Sequence, residues 1–576
     1  MANPSHLRSR RSAAQLHALE GVEREIRAND HNGRRKYLKD FSTAFRTYET
    51  VLDAARVQDA VRSVDLVLIG DYHALPACQR FASSLLEQLA IVGDRPVVLG
   101  VETIFARDQH ILDEWWRREI DENELRERMR FQMDWGYDWA PFYELLVTAR
   151  EHSDAIYGLD CMPREDLRKI GARDRHAAEK IGEIRQRHPG AVILVLFGES
   201  HLAPAHLPRE VRAVLPQERV LTVLQNVDAL YWRAAGERHE RVEAVRVAQD
   251  VVCVFNATPL EKYENYRLCL DRWKREESDQ PDLGPTVYNL IDGLVRFLGI
   301  NRYSPHNTTQ PKFLVDLLPE VYYRSSDGLL RRLLSRKGVS EEEREAMLQR
   351  VEDRGCAYLP QVNAFYMHDF QMVHASEEAT RFLHHACRGL PVRVTAREEA
   401  ADEPADFFYA RVLENTLAYF GSRVLYPARA AVRETDLRDL SEQTREDVER
   451  QTGLGFAESM RALDFLLLHR LLEVDVKQCE RVRGSLDEGI RSSGPRFEYI
   501  TRQLGYLLGC DLYDGYLEGR VTPGFVRGLL LTHVEEPGTA REEYFTLVHR
   551  LRGLRRRPHR VGTGKSNQSL ARSVQP

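Results

Sequence analysis

The sequence predicts an α/β domain built on a largely parallel sheet with flanking helices, joined to a second, mostly α-helical domain. Short continuous apolar runs, such as "DLVLIG" (65–70) and "AVILVLFG" (191–198), read as strands buried on both faces. Stretches of helical spacing separate these runs, the alternation that a parallel sheet requires. Beyond about residue 287 the helical period dominates and strand-like runs are scarce.

Taken in order, residues 1–40 form a polar, basic N-terminal extension with a helix beginning near Ala13. The α/β domain is expected over 41–273. Its strands are "DLVLIG", "RPVVLGVE" (95–102), "AIYGLD" (155–160) and "AVILVLFG", followed by "RVLTVLQNV" (219–227) and "DVVCVFNA" (250–257). Helices between them include 77–93, 110–131, a segment opening at Pro141, and 164–190 with its Pro-Gly stop. The stretch 274–286 is charged and contains Pro and Gly, and reads as a linker. An α-helical domain is expected over 287–553, with a solvated loop at 396–406. The basic, polar tail over 554–576 lacks the apolar content of a packed element and is expected to be disordered. Its "GTGKS" is a decoy, because the full phosphate-loop pattern needs a Gly where His559 stands.

The chain has 576 residues, 43% of them hydrophobic and 30% charged, and a net charge of −6. The length calls for more than one core. The charge does not suit a uniformly basic nucleic-acid surface, and no nucleic-acid partner is expected. No run of 18 apolar residues occurs, so no membrane span is expected. The N-terminus shows neither a secretory apolar run nor a lipoprotein-like Cys. The eight Cys stand singly with no CxxC, which suits free thiols in a cytoplasmic location.

The chemistry resides in a near-repeat. "VLIGDYHALPA" (67–77) and "VLFGESHLAPA" (195–205) align without a gap, and Asp71 in the first faces Glu199 in the second. Ligands of parallel sheets bind at the carboxyl ends of strands. The ends of the four clearest strands carry Asp71 and His73, Glu102, Asp160, and Glu199 and His201. Neighbouring strands would bring two imidazoles and up to four carboxylates to one rim, with the preceding Gly allowing a sharp turn. Desolvated like charges cannot all stay ionised unpaired, so the cluster needs a bound cation, shared protons or a basic partner. A divalent metal on His73, Glu102 and His201 would lower the pKa of a bound water to roughly 7. A metal-free site with a His as general base and a carboxylate orienting it is equally sound chemistry. An isolated His or acid at a strand end is more often structural; the repeat favours a site for His73, Glu102 and His201 above Asp71, Glu199 and Asp160.

The segment over about 64–230 resembles the ChaN-type haem-binding-uptake domain of the Tiki superfamily, whose relatives include Tiki metalloproteases, TraB-like proteins and erythromycin esterases. "GDYHALPACQ", "VVLGVETIFARDQHILDEW" with Glu102 and Gln109, "WGYDWAPFYELLVTAR", "GLDCMPRED" and "GESH" carry the likeness by order and spacing. The resemblance implies an α/β fold like that of ChaN and the erythromycin esterases, with His73, Glu102 and His201 at positions of metal or hydrolytic chemistry. It also implies haem, which needs a His or Tyr axial ligand and an apolar slot. Tyr72, with Asp71 and Asp160, is the candidate set for it, and Tyr137, Trp135 and Trp139 could line the slot. Asp71 stands where many relatives have Glu.

In the helical half, His374 and Glu378 share a helix face in "HDFQMVHASEEATRFLHH" (368–385), read as solvated or hydrogen-bonded, and His469 sits in a core helix. The leading expectation is a ChaN-like protein that binds haem or a metal ion (Mn, Co, Fe or Zn) at the strand-end crevice. The first alternative is a metal-dependent or His/Glu-based hydrolase of an ester, lactone or peptide, of the Tiki or erythromycin-esterase type, with catalytic residues His73, Glu102, Glu199 and His201. The second is an inactive scaffold whose helical half binds a partner, with a homo-oligomer open.

Overall fold

The computed structural model describes residues 4–30, 36–161, 170–237, 242–274, 282–300, 318–387, 404–473, 483–492, 494–532 and 538–552. The expected tail 554–576, the bulk of the linker and of the loop at 396–406, and the "MPRED" end of the third strand motif lie outside these residues. Two compact units are present: 1–392 with 421–430, and 393–420 with 431–576. The first therefore runs on through the 274–286 stretch.

The first unit is organised on an eight-stranded sheet. In chain order the strands are β1 (Thr50–Leu52), β2 (Leu66–Asp71), β3 (Val97–Phe105), β4 (Ala155–Asp160), β5 (Val192–Gly198), β6 (Val220–Gln225), β7 (Ala244–Ala248) and β8 (Val251–Val254). Their spatial order is β1-β7-β8-β6-β2-β5-β3-β4. All pairs from β8 to β4 are parallel, whereas β7 is antiparallel to both β8 and β1. The largely parallel α/β fold is thus the one the apolar runs predict. β1 and β7 were not read from sequence: one has three residues and the other is only half-buried.

Alternation within each apolar run feeds two cores. Leu66 and Leu68 of β2 join Ile193, Val195 and Phe197 of β5 on one face, with Ala177, Ala178, Ile181 and Ile184 of the helix Ile170–Arg187. Val67 and Ile69 join Leu194 and Leu196 on the other, with Trp115, Trp135 and Phe142. Burial of both faces explains why these strands read as continuous rather than alternating. The N-terminal helix starts at Pro4, earlier than expected, and packs against the helices Asp228–Glu237, Pro259–Arg272 and Gly284–Leu298.

A second small sheet lies within the stretch read as mostly helical. β9 (Glu320–Tyr323), β10 (Cys356–Leu359) and β11 (Ala364–Met367) pair in the order β10-β11-β9. Four residues per strand are too few to establish a period of two. The adjacent helix Met372–Ala386 is buried, not solvated. Glu377 pairs with Arg354, Arg381 and Arg429, and Glu378 accepts from the Tyr358 N–H at 2.9 Å and Arg381 at 3.2 Å.

Among the described residues the second unit contains helices and no strand. Its long helices Phe456–Leu472 and Gly494–Leu517 pack together. His469 is fully buried there, 3.0 Å from the Tyr409 hydroxyl and 3.3 Å from Glu473, which also accepts from Tyr544 at 2.6 Å. Seven of the eight Cys are free thiols; Cys479 is not among the described residues. Among the described residues no helix is long and apolar enough to cross a membrane.

Candidate functional site

The strand order places β2 beside β5 and β3 on the far side of β5. Asp71 and Gly198 are register partners, so the two "Gly-acid-x-His" motifs leave the sheet side by side. Glu102 reaches across from β3, and one carboxylate oxygen accepts the Gly198 N–H. His73 Nε2 lies 3.5 Å from Glu102 Oε2 and His201 Nε2 lies 3.7 Å from Oε1. The two imidazoles, 128 positions apart, therefore flank one carboxylate. His73 rests against Trp135, Tyr137 and Phe142, with ring centroids 5.2–6.2 Å away, and His201 meets Phe197 edge-on at 4.9 Å. One ring thus leans on each of the sheet's two cores.

Each imidazole also has a carboxylate on its other nitrogen. His73 Nδ1 is 2.7 Å from Asp71 Oδ2, and Asp71 is further held by the Gln79 side chain. His201 Nδ1 is 2.5 Å from Asp174 Oδ1. This is where the twins part. In the first copy the motif's own acid orients its histidine. In the second, Glu199 turns away to Lys262, at 3.0 and 3.1 Å, and leaves that place to Asp174. Glu199 therefore does not join His73, Glu102 and His201 directly.

The charge problem posed by the sequence is solved by basic partners. Arg173 donates to Glu102 at 2.5 Å and to both oxygens of Asp160 at 3.0 and 2.7 Å. Burial resists ionisation of Glu102, but His201, Arg173, His73 and the Gly198 N–H together outweigh it and hold its pKa down at about 2. Burial also disfavours the Arg173 cation, yet Glu102 and Asp160 raise its pKa above the ordinary value, so it stays charged. Burial raises the pKa of Glu199 against the pull of Lys262.

Arg173, Asp174, Lys262 and Gln79 complete the site. Sequence reasoning singled out none of the first three. Gln109, part of the quoted motif, has a backbone role: it accepts from the Gly158 N–H and donates to the Ile156 carbonyl, each at 2.9 Å.

Gly198 has φ −48°, an ordinary value, so its role is not the sharp turn expected of it. A Cβ there would lie 2.9 Å from Glu102 Oε2 and 3.5 Å from His73 Nε2. Glycine keeps the centre of the cluster open. Gly198→Ala is expected to leave the fold intact and displace Glu102 and His73, visible as altered histidine side-chain NMR signals; unchanged signals would refute the crowding argument.

Residues 57–191 match the family model described as haem-binding uptake, Tiki superfamily, ChaN. The first unit carries a ChaN-type domain. The match includes His73, Glu102, Asp160, Arg173 and Asp174 and stops before the second motif. A solved structure described as "Cofacial heme binding to ChaN of Campylobacter jejuni" aligns at 14% identity over 30% of this chain and 86% of that one, with a TM-score of 0.25. No curated protein matched.

Neither implied cofactor fits the residues first assigned to it. In the ChaN-type domain Tyr72 lies under the Lys262 ammonium, 4.5 Å from its ring centroid, Asp71 serves His73 and Gln79, and Asp160 serves Arg173. These three do not assemble a haem seat. Among the described residues no group of three His, Cys, Asp or Glu side chains is arranged to hold a metal. Glu102 already carries a guanidinium, which would repel a second cation.

Proposed function

We propose that the crevice of the ChaN-type domain is a metal-free acid–base site that hydrolyses an ester- or lactone-type bond. The observation that supports this reading most is the pair of carboxylate-backed imidazoles flanking Glu102. A carboxylate on Nδ1 fixes the tautomer and ring orientation, so that Nε2 exchanges the proton. His73, backed by Asp71 and the more accessible of the two at 10% side-chain exposure, takes a proton from water as general base. Glu102, kept anionic by Arg173, orients that water. His201, backed by Asp174, delivers a proton to the leaving oxygen.

The test is turnover of a panel of p-nitrophenyl esters and lactones by the full chain, with and without EDTA and 1,10-phenanthroline. Turnover that survives both chelators is expected. Turnover that vanishes with chelator and returns with a divalent ion would replace this reading with a metal-dependent one. Haem binding is the second reading, favoured by the family match over 57–191. A Soret band on haemin titration, without turnover on the panel, would establish it, through residues other than Tyr72, Asp71 and Asp160.

A further inference from the structure

Lys262 sits on the helix Pro259–Arg272, outside every motif read from the sequence, and is 4% exposed. A buried ammonium is costly unless its donors are satisfied. Those of Lys262 are spent on three adjacent strand ends. Nζ donates to Glu199 at 3.0 and 3.1 Å, just beyond β5, and to the Asn226 carbonyl at 3.4 Å, just beyond β6. It also lies 4.5 Å from the ring centroid of Tyr72, just beyond β2, a cation–π contact strengthened by burial. The sheet order β6-β2-β5 makes these three ends neighbours. Tyr72 immediately precedes His73, and Glu199 precedes His201 by two residues.

We propose that Lys262 is a positioning residue that staples the two histidine-bearing loops together and sets the placement of His73 and His201 on either side of Glu102. Its functional meaning rests on the acid–base reading of the crevice; its structural claim does not. Several features converge on this role. The middle residue of one motif and the acid of the other touch the same ammonium. That contact draws Glu199 away from His201, which is what lets Asp174 back the second imidazole. Tyr72 also meets the edge-on ring of Tyr266, at 6.0 Å between ring centroids, whose hydroxyl donates to Asp30 at 2.9 Å. The clamp is therefore fixed to the helical layer as well as to the sheet.

The experiment compares wild type, Lys262→Met, Lys262→Met/Glu199→Met and Tyr72→Leu. Thermal stability, the histidine side-chain NMR signals of His73 and His201, and turnover on the ester panel are read for each. The single Lys262 variant leaves the partly buried Glu199 without its counter-ion and is expected to lose stability. The double variant removes both charges and is expected to recover most of it, because paired removal of a buried ion pair is well tolerated. Both imidazole signals should nevertheless stay displaced in the double variant, with turnover down on the order of 10-fold or more from misplacement. Tyr72→Leu should displace His73 and leave His201 in place. A stable double variant whose two imidazole signals superpose on wild type would overturn the proposal, as would a Tyr72→Leu variant with His73 unmoved. Wild type without turnover would count against the acid–base reading alone, since the imidazole signals still decide the role of Lys262.

Discussion

Replacing Arg173 by Met is expected to destabilise the first unit by about 3–5 kcal/mol at neutral pH, the penalty for stranding buried charge. The guanidinium serves two carboxylates at once, and both are almost fully buried. The pH dependence gives the sharper reading. In wild type Glu102 has a pKa of about 2 against an ordinary 4.5, so the folded state binds fewer protons than the unfolded one. Its contribution is complete above pH 4.5 and is lost as pH falls toward about 2; the shift is worth about 3 kcal/mol. In Arg173→Met the pKa of Glu102 should climb, and protonation then relieves the stranded charge. The gap between variant and wild type is therefore largest at pH 7 and smaller at pH 4. All six Trp lie in the first unit, so urea unfolding followed by Trp fluorescence reports on it. A gap under about 1 kcal/mol, or one equal at both pH values, would show that Arg173 is a bystander.

His73→Ala should abolish most turnover on any ester the full chain accepts. Loss of a general base costs about 10²–10⁴-fold, here in kcat with KM little changed, because the ring acts on the water and not on substrate binding. Asp71→Asn tests the second half of the dyad. It keeps the shape but offers an amide N–H where His73 Nδ1–H needs an acceptor, which favours the wrong tautomer. It should therefore fall by a factor approaching that of His73→Ala, whereas Gln79→Ala, one contact further out, should fall less. A His73→Ala variant retaining more than about a tenth of wild-type turnover would assign the base elsewhere.

What the sequence disclosed and what it hid follow from how each feature is encoded. The strands of the large sheet were legible because burial on both faces turns them into uninterrupted apolar runs. The meeting of His73, Glu102 and His201 was legible because a repeated motif at parallel strand ends carries positional information. Arg173, Asp174 and Lys262 were hidden because they lie within helices among many charges. "GARDRHAAEK" looks like a solvated face, and only the packing of Ala177, Ala178 and Ile181 on the sheet shows that its first turn points inward. Glu199 misled for a related reason. Alignment with Asp71 predicts the same duty, but a lysine 63 positions away claims it. β9–β11 went unread because their apolar residues are too few to show a period.

Arg173 and Asp174 are consecutive residues, and between them they neutralise Glu102 and orient His201. A residue inserted between them and Ala177 in the helix Ile170–Arg187, whose Ala177, Ala178 and Ile181 pack on the sheet, would rotate both by about 100° at a stroke. Electrostatics and aim would fail together, where any single replacement harms only one. Restoring their direction would take about seven added residues, two full turns, at the cost of sliding the pair about 10 Å along the helix axis. The spacing between this helix and the sheet is thus a tighter constraint on length variation than on side-chain identity. An insertion or deletion between Asp174 and Ala177 is expected to abolish both contacts together.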